Sequence, residues 1–163
     1  NLLGTIHRAS LQHRRTIADV FSDRSFFESL RIEPYYRYSA GQVPDTRTFF
    51  DDLIAETFQT RLTIVHGDYS PKNILVHKGQ LVLLDHEVIH FGDPAFDVGF
   101  SLTHLLSKAH HVLHRRPEFL QAAQHYTKRY LEHLDGLEWR DSVESRAVRH
   151  TTGCLLARVA GRS

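Results

Sequence analysis

Apolar residues recur at helical spacing toward both ends of the chain and at strand spacing in its middle. Leu2, Leu3, Ile6 and Ala9 fall on one face and predict an opening helix. Residues 12–25 are polar and basic, which suits a loop or a ragged helix. Phe26, Phe27, Leu30 and Ile32 predict a short buried segment. Residues 39–44, with a glycine and a proline, read as a break. Asp45 then offers an N-cap. It precedes a helix whose Phe49, Phe50, Leu53, Ile54 and Phe58 share one face, with Asp51, Asp52 and Glu56 turned to water.

The period then changes. Residues 62–65, 73–76 and 81–84 are short β-rich runs, and the last two flank a turn in which Gly79 supplies a positive φ. Three short strands close together are expected, with a polar loop over residues 66–72. Helices resume after Gly92. Asp93 and Pro94 are a strong start signal, because a proline at the first helical position forfeits no hydrogen bond. Residues 94–108 are apolar nearly all round, as in a buried helix. A second start lies near Pro117, leading Phe119, Leu120, Tyr126, Tyr130 and Leu134, and a last helix is expected from about Trp139 through Leu156. The expected class is α+β, mainly helical, with residues 1–163 forming a single domain.

Composition narrows the function. Twenty lysines and arginines face 19 acids, a formal charge of +1 over 163 residues. That balance disfavours a dedicated nucleic-acid surface. No apolar run approaches the roughly 18 residues of a membrane helix, and no signal-peptide order is visible. Cys154 is the lone cysteine, so no internal disulfide forms, which fits a reducing, cytoplasmic setting. The sequence contains no methionine and stops soon after a helical pattern. It is therefore expected to be a segment of a longer protein.

The candidate chemistry sits in the middle. Asp68 and Asn73 lie five apart on a tight loop, and Asp85 follows at the end of an apolar strand. Two oxygen ligands of different charge beside a further carboxylate suit magnesium, which takes few protein oxygens and keeps its other positions for phosphate and water. Phosphoryl transfer needs such a metal, and a carboxylate to orient the attacking hydroxyl.

These segments carry a resemblance. Val65-His-Gly-Asp-Tyr-Ser-Pro-Lys-Asn-Ile-Leu-Val76 resembles the catalytic loop of the aminoglycoside phosphotransferase and choline kinase family, itself related to that of protein kinases. Leu83-Leu-Asp-His-Glu87 is similar to the family's metal-binding strand end, and Gly92-Asp-Pro-Ala-Phe-Asp-Val-Gly99 to its next signature. Leu3-Gly-Thr-Ile-His7 is similar to its first helix after the interlobe hinge. The resemblance implies the C-terminal, catalytic lobe of a protein-kinase-like fold that transfers the γ-phosphate of ATP to a hydroxyl of a small molecule. It implies Asp68 as base, and Asn73 and Asp85 as the residues that hold Mg2+ and with it the nucleotide. The smaller N-terminal lobe, with its phosphate-covering loop and lysine, has no counterpart in these residues. It is expected as the missing partner. The competing reading is a non-catalytic fragment or pseudokinase-like module. A metal-dependent hydrolase built from Asp68, Asp85, Glu87 and histidines lacks recognisable ligand spacing.

Around this set, His66 is expected to brace the loop and Asp97 to tie it to the following helix. A carboxylate in a buried first turn is costly unless it accepts several N–H bonds. Glu87, two past Asp85, would face the same way in an extended chain. Lys72 stands four past Asp68, whereas the phosphate-touching lysine of protein kinases stands two past; Ser70 holds that place. His104, His110, His111 and His114 read as a solvated helix end. The acceptor is open among sugars, amino alcohols and antibiotics. A choline cage would need aromatic residues such as Tyr35, Tyr36, Tyr126, Tyr130 or Trp139.

Overall fold

A computed structural model describes residues 2–162. The chain opens with α1 (Leu2–Gln12), which buries Leu3 and His7. The basic stretch that follows forms α2 (Arg14–Val20), a helix without a buried residue. A single helical turn, α3 (Ser25–Phe27), runs into a π-helical segment, Glu28–Arg37, and then into α4 (Tyr38–Gln42). Phe27 and Ile32 are buried here, but Phe26 is 60% exposed and Leu30 36%. The expected buried segment is thus a helical stretch with one face in the core.

The expected break at residues 39–44 is confined to its end, since helix continues through Gln42. Asp45 is not an N-cap. Pro44 opens a 3-10 turn, Pro44–Thr46, that contains Asp45, and α5 (Arg47–Gln59) starts after it with Thr46 in the cap position. Helix α5 buries Phe50 and Leu53, with Phe49, Ile54 and Phe58 partly covered.

Two small antiparallel sheets follow. Strand β1 (Thr63–Val65) pairs with β4 (His90–Gly92), placing Ile64 opposite Phe91. Strands β2 (Ile74–His77) and β3 (Gln80–Leu83) form a hairpin of their own. Lys78 and Gly79 both have positive φ, as a two-residue type I′ turn requires. The three expected strands therefore do not share one sheet; β1 takes a partner from beyond the hairpin.

The rest is helical. Asp93 accepts the Ala95 amide at 3.0 Å through Oδ1 and opens α6 (Ala95–His111). Then come α7 (Arg116–His133) and α8 (Arg140–Ala160). The first half of α6 is buried on nearly all sides because α7 and α8 both pack on it. Gly99 permits the α6–α8 contact: a Cβ there would lie 2.5 Å from the His150 Cβ and 2.8 Å from the Ala147 carbonyl oxygen. Asp93 also meets Arg146 of α8 in a buried pair, 2.8 Å from Nε and 3.2 Å from Nη2. Burial pushes the Asp93 carboxyl upward, with Arg146 opposing it.

Apolar side chains gather in two cores. One joins Phe27, Ile32, Tyr36, Phe50, Leu53, Val65, Phe96 and Phe100; the other joins Leu3, Tyr69, Val98, Tyr130, Leu134 and Val143. The aromatic residues considered for a choline cage are divided between them. Tyr35 and Tyr36 belong to the first core, and Tyr126, Tyr130 and Trp139 to the second. Among the described residues no helix is long and apolar enough to cross a membrane.

Candidate active site

The loop between β1 and β2 carries the site. Its second residue, Gly67, has φ +77°, and a Cβ at that position would come within 2.8 Å of the Val88 side chain. Only glycine fits that conformation and that space. Asp97, in the first turn of α6, fixes the loop from below. Its carboxylate accepts the His66 amide at 2.7 Å and the Gly67 amide at 2.8 Å, and His7 Nε2 approaches to 3.4 Å. Burial acts to raise this carboxyl, yet the His7 contacts and the His66 amide outweigh it and leave it below the ordinary range. The expected tie is thereby present. His7 is itself held at Nδ1, 2.8 Å from the Tyr130 hydroxyl, so α1, α6 and α7 converge beneath one loop.

His66 braces the loop from above. Its Nε2 lies 3.0 Å from the Leu84 carbonyl oxygen, and its Nδ1 accepts the Asp68 amide at 3.2 Å. The ring is therefore protonated on Nε2. It links the start of the loop to the end of β3, beside Asp85.

Asp68 is 3% exposed, and its Oδ2 is crowded. Asn73 Nδ2 donates to it at 2.9 Å, Lys72 Nζ stands at 2.9 Å and Arg31 Nη2 at 3.2 Å. Asn73 Nδ2 also donates to the Asp68 carbonyl at 2.9 Å. The Asn73 amide nitrogen is thus committed to Asp68, while its Oδ1 enters no hydrogen bond among the described residues. Asn73 closes a short 3-10 turn, Pro71–Asn73, and its carbonyl accepts the Leu84 amide at 2.9 Å. That bond sets residue 73 opposite residue 84, so Asn73 and Asp85 emerge at the same open end of the hairpin.

Asp85 is exposed and has φ +65°, in the left-handed region. This turn ends the strand. The alternation argument that set Glu87 on the side of Asp85 therefore does not apply, because the chain between them is not extended. Glu87 lies exposed in a turn. Among the described residues no three His, Cys, Asp or Glu side chains group as a metal site.

His110, His111 and His114 are exposed, as expected for a helix end. His104 departs from that expectation. It lies within α6, edge-on to Phe100 at 5.1 Å, with Arg158 Nη2 3.0 Å from its Nδ1. Burial, then Arg158, lower its pKa to about 4, so the imidazole is neutral and accepts from the guanidinium.

Sequence patterns did not reveal Arg31. It lies in the π-helical segment, distant in sequence from the loop. Its Nε donates to the Gly67 carbonyl at 2.7 Å, and its guanidinium lies 5.6 Å from the Phe100 ring centroid. The only hint was a basic residue inside a predicted buried segment, where charge is costly unless paired.

The apolar face of the hairpin borders the same end. Leu75 pairs with Val82, and Leu84 follows Val82 by two, so these three side chains share a face by strand alternation. Leu75, Val82 and Leu84 are 49%, 41% and 43% exposed. No match was found among curated proteins. The family model described as "Phosphotransferase enzyme family" matches residues 1–139, which span every residue of the site except Arg158. The chain belongs to the phosphotransferase enzyme family.

Proposed function

We propose that this chain is the C-terminal, catalytic lobe of an ATP-dependent kinase that phosphorylates a hydroxyl of a small molecule, with Asp68 as the base. One observation carries the reading: Asn73 gives its amide nitrogen to Asp68 and keeps Oδ1 uncommitted, at the hairpin end it shares with Asp85. An amide oxygen and a carboxylate are hard donors of the kind magnesium takes. Asn73 and Asp85 are the residues that would hold the ion, and when bound it would neutralise charge on the donor's phosphates.

The remaining roles belong to the chain's own groups. Asp68 Oδ1 accepts no hydrogen bond among the described residues, so it is the oxygen to receive the acceptor's hydroxyl proton. Oδ2 stays anchored by Asn73, Lys72 and Arg31, which fixes the carboxylate's orientation. Asp97 and His66 hold the loop from both sides, so that geometry does not have to be assembled during the reaction. The half-exposed Leu75, Val82 and Leu84 offer a flat apolar floor suited to the base of a nucleotide. The N-terminal lobe expected as partner would close over it.

The test is ADP release from ATP by the full-length protein, measured with and without magnesium and with a panel of alcohols. Transfer that needs both magnesium and an acceptor is expected. Asn73→Ala and Asp85→Ala should each weaken magnesium-dependent nucleotide binding as well as turnover. Nucleotide binding by these variants at the parent affinity would refute the metal assignment.

A further inference from the structure

Two cations meet Asp68 and a third, Arg158, lies beyond them on His104, so the charges do not balance. Arg31 and Lys72 both lean on its Oδ2, and Arg158 is linked to Arg31 through two rings, His104 and Phe100. Among the described residues Arg31 and Lys72 have no ion-pair partner besides Asp68 and Arg158 has none, which leaves an excess of positive charge on this side of the carboxylate. The connection is continuous. The Phe100 ring takes Arg31 at 5.6 Å, Tyr35 at 5.8 Å and His104 at 5.1 Å, and His104 in turn accepts Arg158. Fields from both Arg31 and Arg158 reach the Tyr35 hydroxyl, and those of Arg158, Lys72 and Lys108 reach the His104 ring. The patch thus draws on the π-helical segment, the catalytic loop, α6 and α8.

The three cations differ in freedom. The Arg31 side chain is only 11% exposed, and its guanidinium is already bound to Gly67 and Asp68. The Lys72 side chain is 65% exposed, and Arg158 is exposed with a neutral imidazole as its acceptor. Lys72 and Arg158 therefore have donors to spare, whereas Arg31 is locked. A polycationic acceptor approaching Asp68 would meet three like charges, a repulsion that disfavours it. An acceptor with a negative group would meet free donors of the opposite sign.

We infer that the acceptor is an alcohol bearing an anionic group, a carboxylate or a phosphate, held by Lys72 and Arg158 while its hydroxyl faces Asp68. Arg31 is a positioning residue that orients Asp68. This inference rests on the phosphotransferase reading for the reaction, though not for the binding.

Two measurements on the full-length protein decide it. The first is ADP release from ATP with three groups of acceptor: hydroxy acids and sugar phosphates, neutral sugars and polyols, and choline and aminoglycosides. The second is calorimetric binding of the same compounds without nucleotide. Turnover confined to the anionic group is expected. Arg158→Ala should raise KM about tenfold or more, the scale of one lost charge-assisted hydrogen bond, with little change in kcat. Arg158→Lys should recover most of that loss. Anionic acceptors that bind without being phosphorylated would keep this site and sink the kinase reading alone. Preference for neutral or cationic acceptors, no binding of any anionic compound, or a KM that Arg158→Ala and Lys72→Ala leave unmoved would each overturn the inference.

Discussion

Asp68 is buried, yet it keeps one oxygen unbonded among the described residues, and that combination defines what a single substitution can report. Asp68→Asn preserves the side chain's shape while removing its ability to take a proton and its charge toward Arg31 and Lys72. Positioned acid–base groups contribute about 10²–10⁴-fold in rate. Turnover of the full-length protein should fall by that range with nucleotide affinity nearly unchanged. Single-turnover kinetics beside nucleotide titration will show it, and an unaltered rate removes Asp68 as base. At this scale the sequence was readable wherever a residue's type conflicted with its surroundings. Asp97 stands in an apolar helix, so a structural reason for a carboxylate there could be argued in advance, and the two amides it accepts supply that reason. Arg31 was barely readable, because its partner is remote in the chain and a basic residue inside a short buried segment does not say which acid it meets. The extended chain expected between Asp85 and Glu87 is absent for a local reason. Positive φ at Asp85 breaks the alternation, and an aspartate tolerates that conformation without any glycine to signal it.

At the scale of elements, α6 and α8 hold the molecule together through a tight crossing at Gly99 and the buried Asp93–Arg146 pair. Removing one partner of a buried pair strands the other, at a cost of about 3–5 kcal/mol. Arg146→Ala should therefore lower the melting temperature by roughly 10 °C or more, since each kcal/mol is worth about 2–4 °C at this size. Calorimetric melts of the two proteins provide the comparison, and a shift of a degree or two would mean that Asp93 finds other support. Helices α1, α5, α6 and α7 and the β2–β3 hairpin were legible because their apolar spacing, prolines and turn glycine act locally. Strand β4 was not. It is three residues long, His90–Gly92, and is a strand only because β1 lies beside it. The π-helical segment was equally hidden, since its apolar positions do not follow a 3.6-residue period. Asp45 failed as a cap because Pro44 draws it into a 3-10 turn.

Across the whole molecule, buried histidines tie stability to pH. His150 lies in the first core, accepting the Tyr36 hydroxyl at Nδ1 over 2.7 Å, and burial lowers its pKa to about 3. Burial likewise lowers His90, stacked near Phe27, to about 4. Both rings are neutral in the fold, whereas in an unfolded chain they would titrate near 6.5. Below that value the unfolded chain takes up protons that the folded one refuses, so stability falls as pH falls, by about 1.4 kcal/mol per unit for each histidine. The loss continues toward pH 4 for His90 and toward pH 3 for His150. Asp93, raised by burial, works in the opposite sense in the carboxylate range, while Asp97, lowered, adds to the loss there. Against a typical total of about 5–15 kcal/mol, the two histidines together remove roughly half or more of the stability of a domain in the lower part of that range within about two to three pH units of acidification. Denaturant melts at pH 7.0, 6.0, 5.0 and 4.5 should show a falling midpoint. His150→Gln, whose amide oxygen can accept the Tyr36 hydroxyl but cannot take a proton, should have a distinctly shallower pH slope than the parent between pH 6 and 4.5, the remainder coming from His90 and His104. A parent midpoint that stays level across that window would show that neither ring is held neutral by the fold.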